Sequence, residues 1–497
     1  MPVVLTKTDY ILFRECAKNV WYKIHKPEVW KTAELSDFEK AIIETGNEVE
    51  LVARKLFPSG ILIKGRGQSG REKTQELLEK KENVLFQPIF LKDGFLAAVD
   101  VLEYNQDDGA YNIYEIKSTT DVDKKTHHHD LAFQVNLLEL SGLKIKKAHL
   151  IHLNTEYIRR GEPDIVKLFK IVDLTEEISQ IKGSILQEME SAVKYLSQEN
   201  EPAGYCSCVY KGRSSHCSTF AYSNSKVPAY GVHDIVRIGS SKGKLQELVD
   251  VGIFNLEDIS EDFINKLSAP QKNQILSYVK NQVLIDKHKI KEELDSLVFP
   301  LHFLDYETFP AAIPRFDGFS PYQQIPFQYS LHILDSPDTQ LRHAEFLFEK
   351  NENPTIEFAK SLQKNIEKNG SIIVWSKKFE CKINEELAKR NPEFKEFIDG
   401  INLRVYDLME IFGNQYYVHK DFKGRISIKN ILPVLAPELS YKNLEIQEGG
   451  TASQKWNEAV FANSAEKEKI MLALKEYCKL DTKAMHSIWE HLVEIDG

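Results

Sequence analysis

The chain has 497 residues, two to three times a usual domain, so at least two hydrophobic cores are expected. Its 42% hydrophobic and 28% charged residues, with 24 glycines and 18 prolines, exclude a disordered, collagen-like or disulfide-scaffold chain, and no apolar run approaches the ~18 residues of a membrane-crossing helix. A net charge of −10 argues against a basic nucleic-acid coat protein but not against a nucleic-acid enzyme, because metal-binding carboxylates lower the formal charge while local patches set the field.

The opening segment lacks a basic stretch, a clean apolar run and a small-residue cleavage site, so a cytoplasmic location is expected. Residues 1–220 read as one mixed α/β unit. A helix is predicted from Ser36 to Phe57, stopped by Pro58-Ser59-Gly60, and strands at 61–63, 84–86, 95–101 and 111–116 follow. The Asp107-Asp108-Gly109 turn joins the last two as a hairpin. A helix at 131–140, a strand at 148–153 and a long helix at 175–196 complete this unit. His127-His128-His129 is expected in a loop, since three adjacent side chains converge poorly on one ion. Residues 221–297 form a mostly helical connector. Within it Lys244 to Ile259 reads as a helix, a glycine turn and a second helix, either a packed spacer or a grip on a nucleic-acid backbone. A second α/β unit is expected over residues 298–497. It opens with a strand at 301–304 running straight into acidic residues, continues through a strand at 371–375, and ends in helices up to Glu490.

Two constellations carry chemistry. In the first, Asp100 ends the strand before Tyr114-Glu115-Ile116-Lys117, and Glu115 and Lys117, two apart on a strand, leave by the same face. Paired carboxylates hold a hard divalent cation such as Mg²⁺ or Mn²⁺ through oxygen. A lysine beside them can orient or deprotonate the water that attacks phosphorus. In the second, Phe303-Leu304 delivers Asp305 and Glu307 to one face, a burial that is costly without a compensating cation. Near the end Tyr477 and Asp481, four apart, share a helix face. Cys206, Cys208 and Cys217 crowd into one segment and Cys16 lies far upstream, which is no disulfide framework.

The first constellation resembles the PD-(D/E)XK nuclease motif in its RecB-like form. The resemblance implies a helix-borne acidic ligand, for which Glu50 in Gly46-Asn47-Glu48-Val49-Glu50 is the first choice and Glu48 the second. It also implies a substrate-strand contact by Gln134, although the tyrosine usual four residues later is Leu138 here. Cys16 with Cys206, Cys208 and Cys217 resembles the iron–sulfur subgroup of these nucleases and implies a [4Fe–4S] cluster. The Cys206-Ser207-Cys208 pair is tight for that pattern, so zinc and free thiols stand as alternatives.

The second constellation resembles the DEDD exonucleases of the ribonuclease H-like (DnaQ-like) fold, in the tyrosine variant. Asp305, Glu307 and Asp481 are then metal ligands, and Tyr477 orients the attacking water; Glu476 stands where the histidine variant would carry its base. In the middle motif Glu380, in Trp375-Ser376-Lys377-Lys378-Phe379-Glu380, takes the place of the usual Asp, with Asp407 ranked second. Ser427-Ile428-Lys429 resembles the helix-opening segment of that fold. The fusion resembles an uncharacterised bacterial family joining an iron–sulfur RecB-like domain to a DEDD domain. What the resemblance implies is a divalent-metal-dependent nuclease acting on DNA or RNA, its C-terminal half a 3′–5′ exonuclease and its N-terminal half a second nuclease centre. A nucleic-acid-binding scaffold with one or both centres inactive is the different-class alternative. A structural zinc protein would leave the acidic strand ends unexplained.

Overall fold

The computed structural model describes residues 3–30, 37–241 and 243–496. Helices and several mixed sheets build an α/β protein, and no helix among the described residues is long and apolar enough to cross a membrane. The chain divides into two compact units: Met1–Lys226 with Ala312–Tyr322, and Val227–Ala311 with Gln323–Gly497.

In the first unit β1 (Leu5–Thr6), β4 (Ile89–Lys92) and β5 (Phe95–Ala98) make a small sheet in the order β1-β5-β4. The main sheet contains β2 (Ile61–Leu62), β3 (Val84–Phe86), β6 (Val101–Asn105), β7 (Ala110–Ile116), β8 (Ile145–Leu153) and β9 (Phe169–Asp173), ordered β2-β3-β6-β7-β8-β9. β6 and β7 form the antiparallel hairpin around Asp107-Asp108-Gly109, and β8 runs parallel to β7. Alternation along β7 divides its side chains between two cores. Ile113 joins a cluster with Leu131, Phe133, Leu137, Leu138, Met189 and Leu196, whereas Tyr114 and Ile116 join one with Val49, Ala53 and Ile151. The helix Thr175–Leu196 coincides with its predicted span, and the helix Asp37–Ala53 ends in a short 3₁₀ turn before Pro58.

Three local expectations need correction. Residues 95–101 are the strand β5 and the start of β6, in different sheets, so Asp100 stands just before β6, the hairpin partner of β7, and not at the end of that partner as expected. The apolar run Phe95 to Val99, which carries on past the end of β5, gave no sign of that crossing. The three histidines are not in a loop but open the helix His127–Leu140, where the Nδ1 atom of His127 accepts from the Asp123 amide. In Lys244 to Ile259 the first half is helical (Lys244–Asp250), but the second is a single 3₁₀ turn, Leu256–Asp258.

In the second unit β10 (Leu284–Ile285) pairs with β16 (Tyr417–Val418). The main sheet has the order β13-β12-β11-β14-β15, from β11 (Leu301–Pro310), β12 (Gln324–Leu334), β13 (Arg342–Leu347), β14 (Ile372–Val374) and β15 (Val405–Asp407). β11 carries the acidic pair within the strand, which runs on to Pro310 with a register shift after Glu307. It is central, antiparallel to β12 and parallel to β14, which is parallel to β15. The carboxyl ends of those parallel strands therefore open on one edge, where sites in open α/β sheets collect. Leu304, Tyr306, Phe358, Ile372, Val374 and Ile383 form the core on one face. The long helix Ser464–Asp496 packs on the other side through Leu474, Cys478, Met485 and Ile488, all buried.

Candidate functional site

In the first unit Glu115 leaves β7 on the face of Ile113, toward the helix His127–Leu140. Its carboxylate is saturated. Lys7 Nζ donates to Oε1 at 2.9 Å and Oε2 at 3.1 Å, Lys117 Nζ to Oε1 at 2.7 Å, and Gln134 Nε2 to Oε2 at 2.8 Å. Burial alone would raise this carboxyl, but Lys117 and Lys7 hold it well below the usual range. Lys117 also reaches Asp130 Oδ2 at 2.6 Å, and Gln134 reaches Asp130 Oδ1 at 3.1 Å. Asp100 accepts from the Ile116 amide at 2.8 Å and from Gln87 Nε2 at 3.0 Å. Burial first, then the neighbouring Glu115 charge, pushes Asp100 up to about 7. Glu50 joins this group through the same Gln87 amide at 2.6 Å, while Glu48 faces Arg315. Gln134 is fully buried, its amide donors spent on the two carboxylates and Asp130 O, and Leu138 belongs to the hydrophobic core. In this geometry Gln134 ties Glu115 to Asp130.

The structure thus gathers Asp100, Glu115, Lys117, Glu50 and Gln134, and adds Lys7, Gln87 and Asp130. Asp130 stands four residues before Gln134 on one helix face, a spacing that could have found it. Lys7 lies 108 positions from Glu115, with no local signal of its role.

In the second unit Asp305, Glu307 and Asp481 present carboxylate oxygens that all lie within 4.8 Å of one another. Glu380, in the first turn of the helix Lys377–Arg390, is buried beside Asp305 and Glu307, and its Oε2 has no hydrogen-bond partner. Burial, and then mutual repulsion, drives Asp305, Glu307 and Glu380 well above the ordinary carboxyl range, and burial pushes Asp481 up to about 6. Lys429 is the cation facing Asp305, Glu307 and Asp481, and it does not offset that burial. Its Nζ lies 3.3 Å from the Tyr477 hydroxyl and over the rings of Tyr441 and Tyr477. Tyr441 donates to Asp481 Oδ1 at 2.5 Å. No local spacing assigns a role to Lys429 or Tyr441, because only tertiary structure brings them to Asp481. Asp407 accepts from the Lys377 and Met409 amides, so it anchors the start of the Glu380 helix. Glu476 is exposed, one residue off the face that carries Tyr477.

This donor set fits a divalent cation: hard oxygen ligands, buried, of one sign, with an orphaned carboxylate oxygen at the edge. The first unit fits less well, since Glu115 has no lone pair to spare while Lys7 holds it.

The four cysteines also converge, their sulfurs within 4.8 Å of one another and three of the four buried. Cys16 stands at the break between the helices Lys7–Glu15 and Ala17–His25. Contacts that need no ion bring the distant segment to it: Lys18 Nζ donates to Gly204 O at 2.7 Å, Trp21 Nε1 to Gln198 O at 2.8 Å, and Thr219 Oγ1 to Asn19 Oδ1 at 2.8 Å. An all-thiolate set suits zinc or an iron–sulfur cluster.

Residues 302–427 match the family described as a domain of unknown function, DUF2779. That span includes Asp305, Glu307, Glu380 and Asp407 and stops short of Lys429, Tyr477 and Asp481. The chain is 29% identical to the uncharacterised protein MG366 of Mycoplasma genitalium over 222 residues, covering 40% of this chain and 33% of that protein. It is 27% identical to the uncharacterised protein UU173 of Ureaplasma parvum over 290 residues, covering 52% and 40%. The matched stretches therefore span two fifths or less of each relative's length.

Proposed function

We infer that the protein is a divalent-metal-dependent nuclease whose second unit hydrolyses phosphodiester bonds of DNA or RNA as a 3′–5′ exonuclease. The observation that carries this reading is the buried convergence of Asp305, Glu307 and Asp481 with the unpartnered Glu380 oxygen. Like charges gathered out of water are stable only when protonated or when a cation joins them. Bound there, Mg²⁺ or Mn²⁺ supplies Lewis-acid polarisation of the phosphodiester. Asp305, Glu307 and Asp481 hold the ion, with Glu380 completing the edge. Tyr441 fixes the orientation of Asp481. Tyr477, held by Lys429, orients the attacking water, and Lys429 offers positive charge to the phosphate.

For the first unit the resemblance supports a second nuclease centre built on Asp100, Glu115, Lys117 and Glu50. The Lys7 contacts favour a second reading, in which this unit binds nucleic acid without cutting it. The cysteines act as a clasp between the N-terminal helices and the segment around Cys206. A tetrahedral ion with bonds of ~2.3 Å spaces its sulfurs roughly 3.8 Å apart. The 3.9 Å between Cys206 and Cys217 supports a single zinc over the [4Fe–4S] cluster that the resemblance implies, because a cubane seats each thiolate on its own iron.

End-labelled single- and double-stranded DNA and RNA, digested with Mg²⁺ or Mn²⁺, test the reading. Wild type is expected to shorten a substrate from its 3′ end, and Asp305→Ala to lose that pattern. Wild type and Asp305→Ala equally inert on every substrate would sink it. Iron and zinc content of protein purified without oxygen decides the clasp.

A further inference from the structure

We propose that the cavity walled by Phe412, Tyr417 and Phe422 in the second unit is a nucleotide-binding site, receiving a base and its phosphate from the strand whose end enters the carboxylate centre. The proposal rests on the nuclease reading and adds where the substrate strand lies. The cavity holds about 450 Å³, within the ~300–1,000 Å³ of small-molecule sites. Its wall is preformed. The three rings pack on one another with centroids 5.7 to 6.0 Å apart, so their positions are set before any ligand arrives. The rings are only 1–6% exposed, so they give the cavity a rigid apolar floor that holds a base by shape and apolar contact, not a free stacking face.

The rim supplies the complementary charge. Arg237 and Arg425 both line the cavity and both are exposed. Neither guanidinium has a hydrogen-bond or ion-pair partner among the described residues. Such forks match a phosphate bidentately. A mere packing gap between the helical segment and the sheet would need neither group. Arg237 also stands in the left-handed region at φ 54, which a non-glycine residue occupies only when its surroundings hold it there.

Position ties the cavity to the chemistry. Ile426, another lining residue, accepts through its carbonyl from Trp375 Nε1 at 3.1 Å, and Trp375 leads into the helix that carries Glu380. Three residues after Ile426 comes Lys429, on the Tyr477 hydroxyl. Three residues of chain reach at most ~10 Å, so adjoining nucleotides of one strand can occupy the cavity and the carboxylate centre together. Part of the rim comes from residues between 236 and 274, in the connector whose Lys244 to Ile259 stretch reads from sequence as either a packed spacer or a nucleic-acid grip.

The test uses the full chain with Ca²⁺ in place of Mg²⁺ and short 5′-fluorescein-labelled oligothymidylate and oligouridylate, read by fluorescence anisotropy. Arg237→Glu and Arg425→Glu are each expected to weaken binding at least tenfold and to flatten its salt dependence, with melting temperatures unchanged. Thymidine monophosphate that displaces the strand from wild type, but not from Arg425→Glu, would make a free nucleotide a ligand of the same site; failure to displace, with both charge reversals still weakening binding, leaves the strand as its occupant. A 4-thiothymidine near the 3′ end is expected to photo-crosslink to the peptide spanning residues 412–426. Charge-reversal variants that bind within twofold of wild type, or crosslinks confined to other peptides, overturn the cavity's role. Continued 3′ shortening by wild type would in that case leave the nuclease reading standing, whereas a wild type that neither binds nor cuts ends both.

Discussion

Each unit gathers buried carboxylates from distant parts of the chain, yet the two gatherings are solved in opposite ways. Around Glu115 the protein supplies its own cations, Lys7 and Lys117, within 3.1 Å, and the carboxylate is held ionised. Around Asp305 it supplies, among the described residues, only Lys429, and the acids are driven toward their protonated forms. Residue type alone does not make a metal site. What counts is whether the lone pairs are already spent, and the two units separate on that point.

The largest expected effect is catalytic. Asp305→Ala should lower hydrolysis by the second unit at least a thousandfold, about 4 kcal/mol of barrier, whereas Lys117→Ala should leave that activity intact. A Lys117→Ala protein that loses the same cleavage pattern would break the distinction between the centres. Next comes stability. Glu115→Gln leaves Lys7 without its carboxylate in a largely desolvated site, while Lys117 keeps Asp130, and should cost about 3–5 kcal/mol, read as a fall in the urea midpoint. In the second unit the sign reverses. Asp481, with a carboxyl raised to about 6, stabilises the metal-free fold fully below the unfolded value near pH 4 and loses that contribution as pH rises through 6. Asp481→Asn removes the loss, so without divalent ions it should be more stable than wild type by about 1–3 kcal/mol at pH 8 and barely so at pH 4. Equal stabilities at both pH values would refute a strained acid cluster. The smallest effect concerns Lys7. Lys7→Ala frees two lone pairs on Glu115 and should tighten Mn²⁺ binding by the first unit about tenfold, ~1.4 kcal/mol, seen by electron paramagnetic resonance in an Asp305→Ala background. Unchanged Mn²⁺ binding would mean that Lys7 does not compete with the ion.

How much of this could be read beforehand depended on sequence distance. Asp305 and Glu307 are two apart on a strand, and Tyr477 and Asp481 four apart on a helix, so periodicity alone puts each pair on one face. The four cysteines were visible because cysteine is scarce. Tyr441 was not legible as a site residue, and Lys429 was visible only as part of the Ser427-Ile428-Lys429 segment with no role attached, since both meet Tyr477 and Asp481 only through tertiary packing. Lys7 carries no local signal, because it meets Glu115 only in the folded chain. The split between β5 and β6 was hidden because Val99 keeps the apolar pattern going, although the two strands lie in different sheets. Glu380 is the instructive middle case. Its position was legible, but its unpaired oxygen, the feature that suits a cation, exists only in the folded chain.

The segment Ala312–Tyr322 leaves the second unit between β11 and β12 and is built into the first. There Ala312 lies in the core beside Val49, the Arg159 guanidinium donates to the carbonyls of Pro314 and Arg315, and Tyr322 donates to Ser118 O next to Lys117. The polypeptide consequently passes from one unit to the other three times rather than once. A fragment cut after residue 226 would lack an internal piece of its own core, and the complementary fragment would carry that piece with nothing to hold it. Gene dissection by truncation is thus the wrong tool for assigning activities to the two halves, and a rearrangement that separated them would have had to move the strap as well.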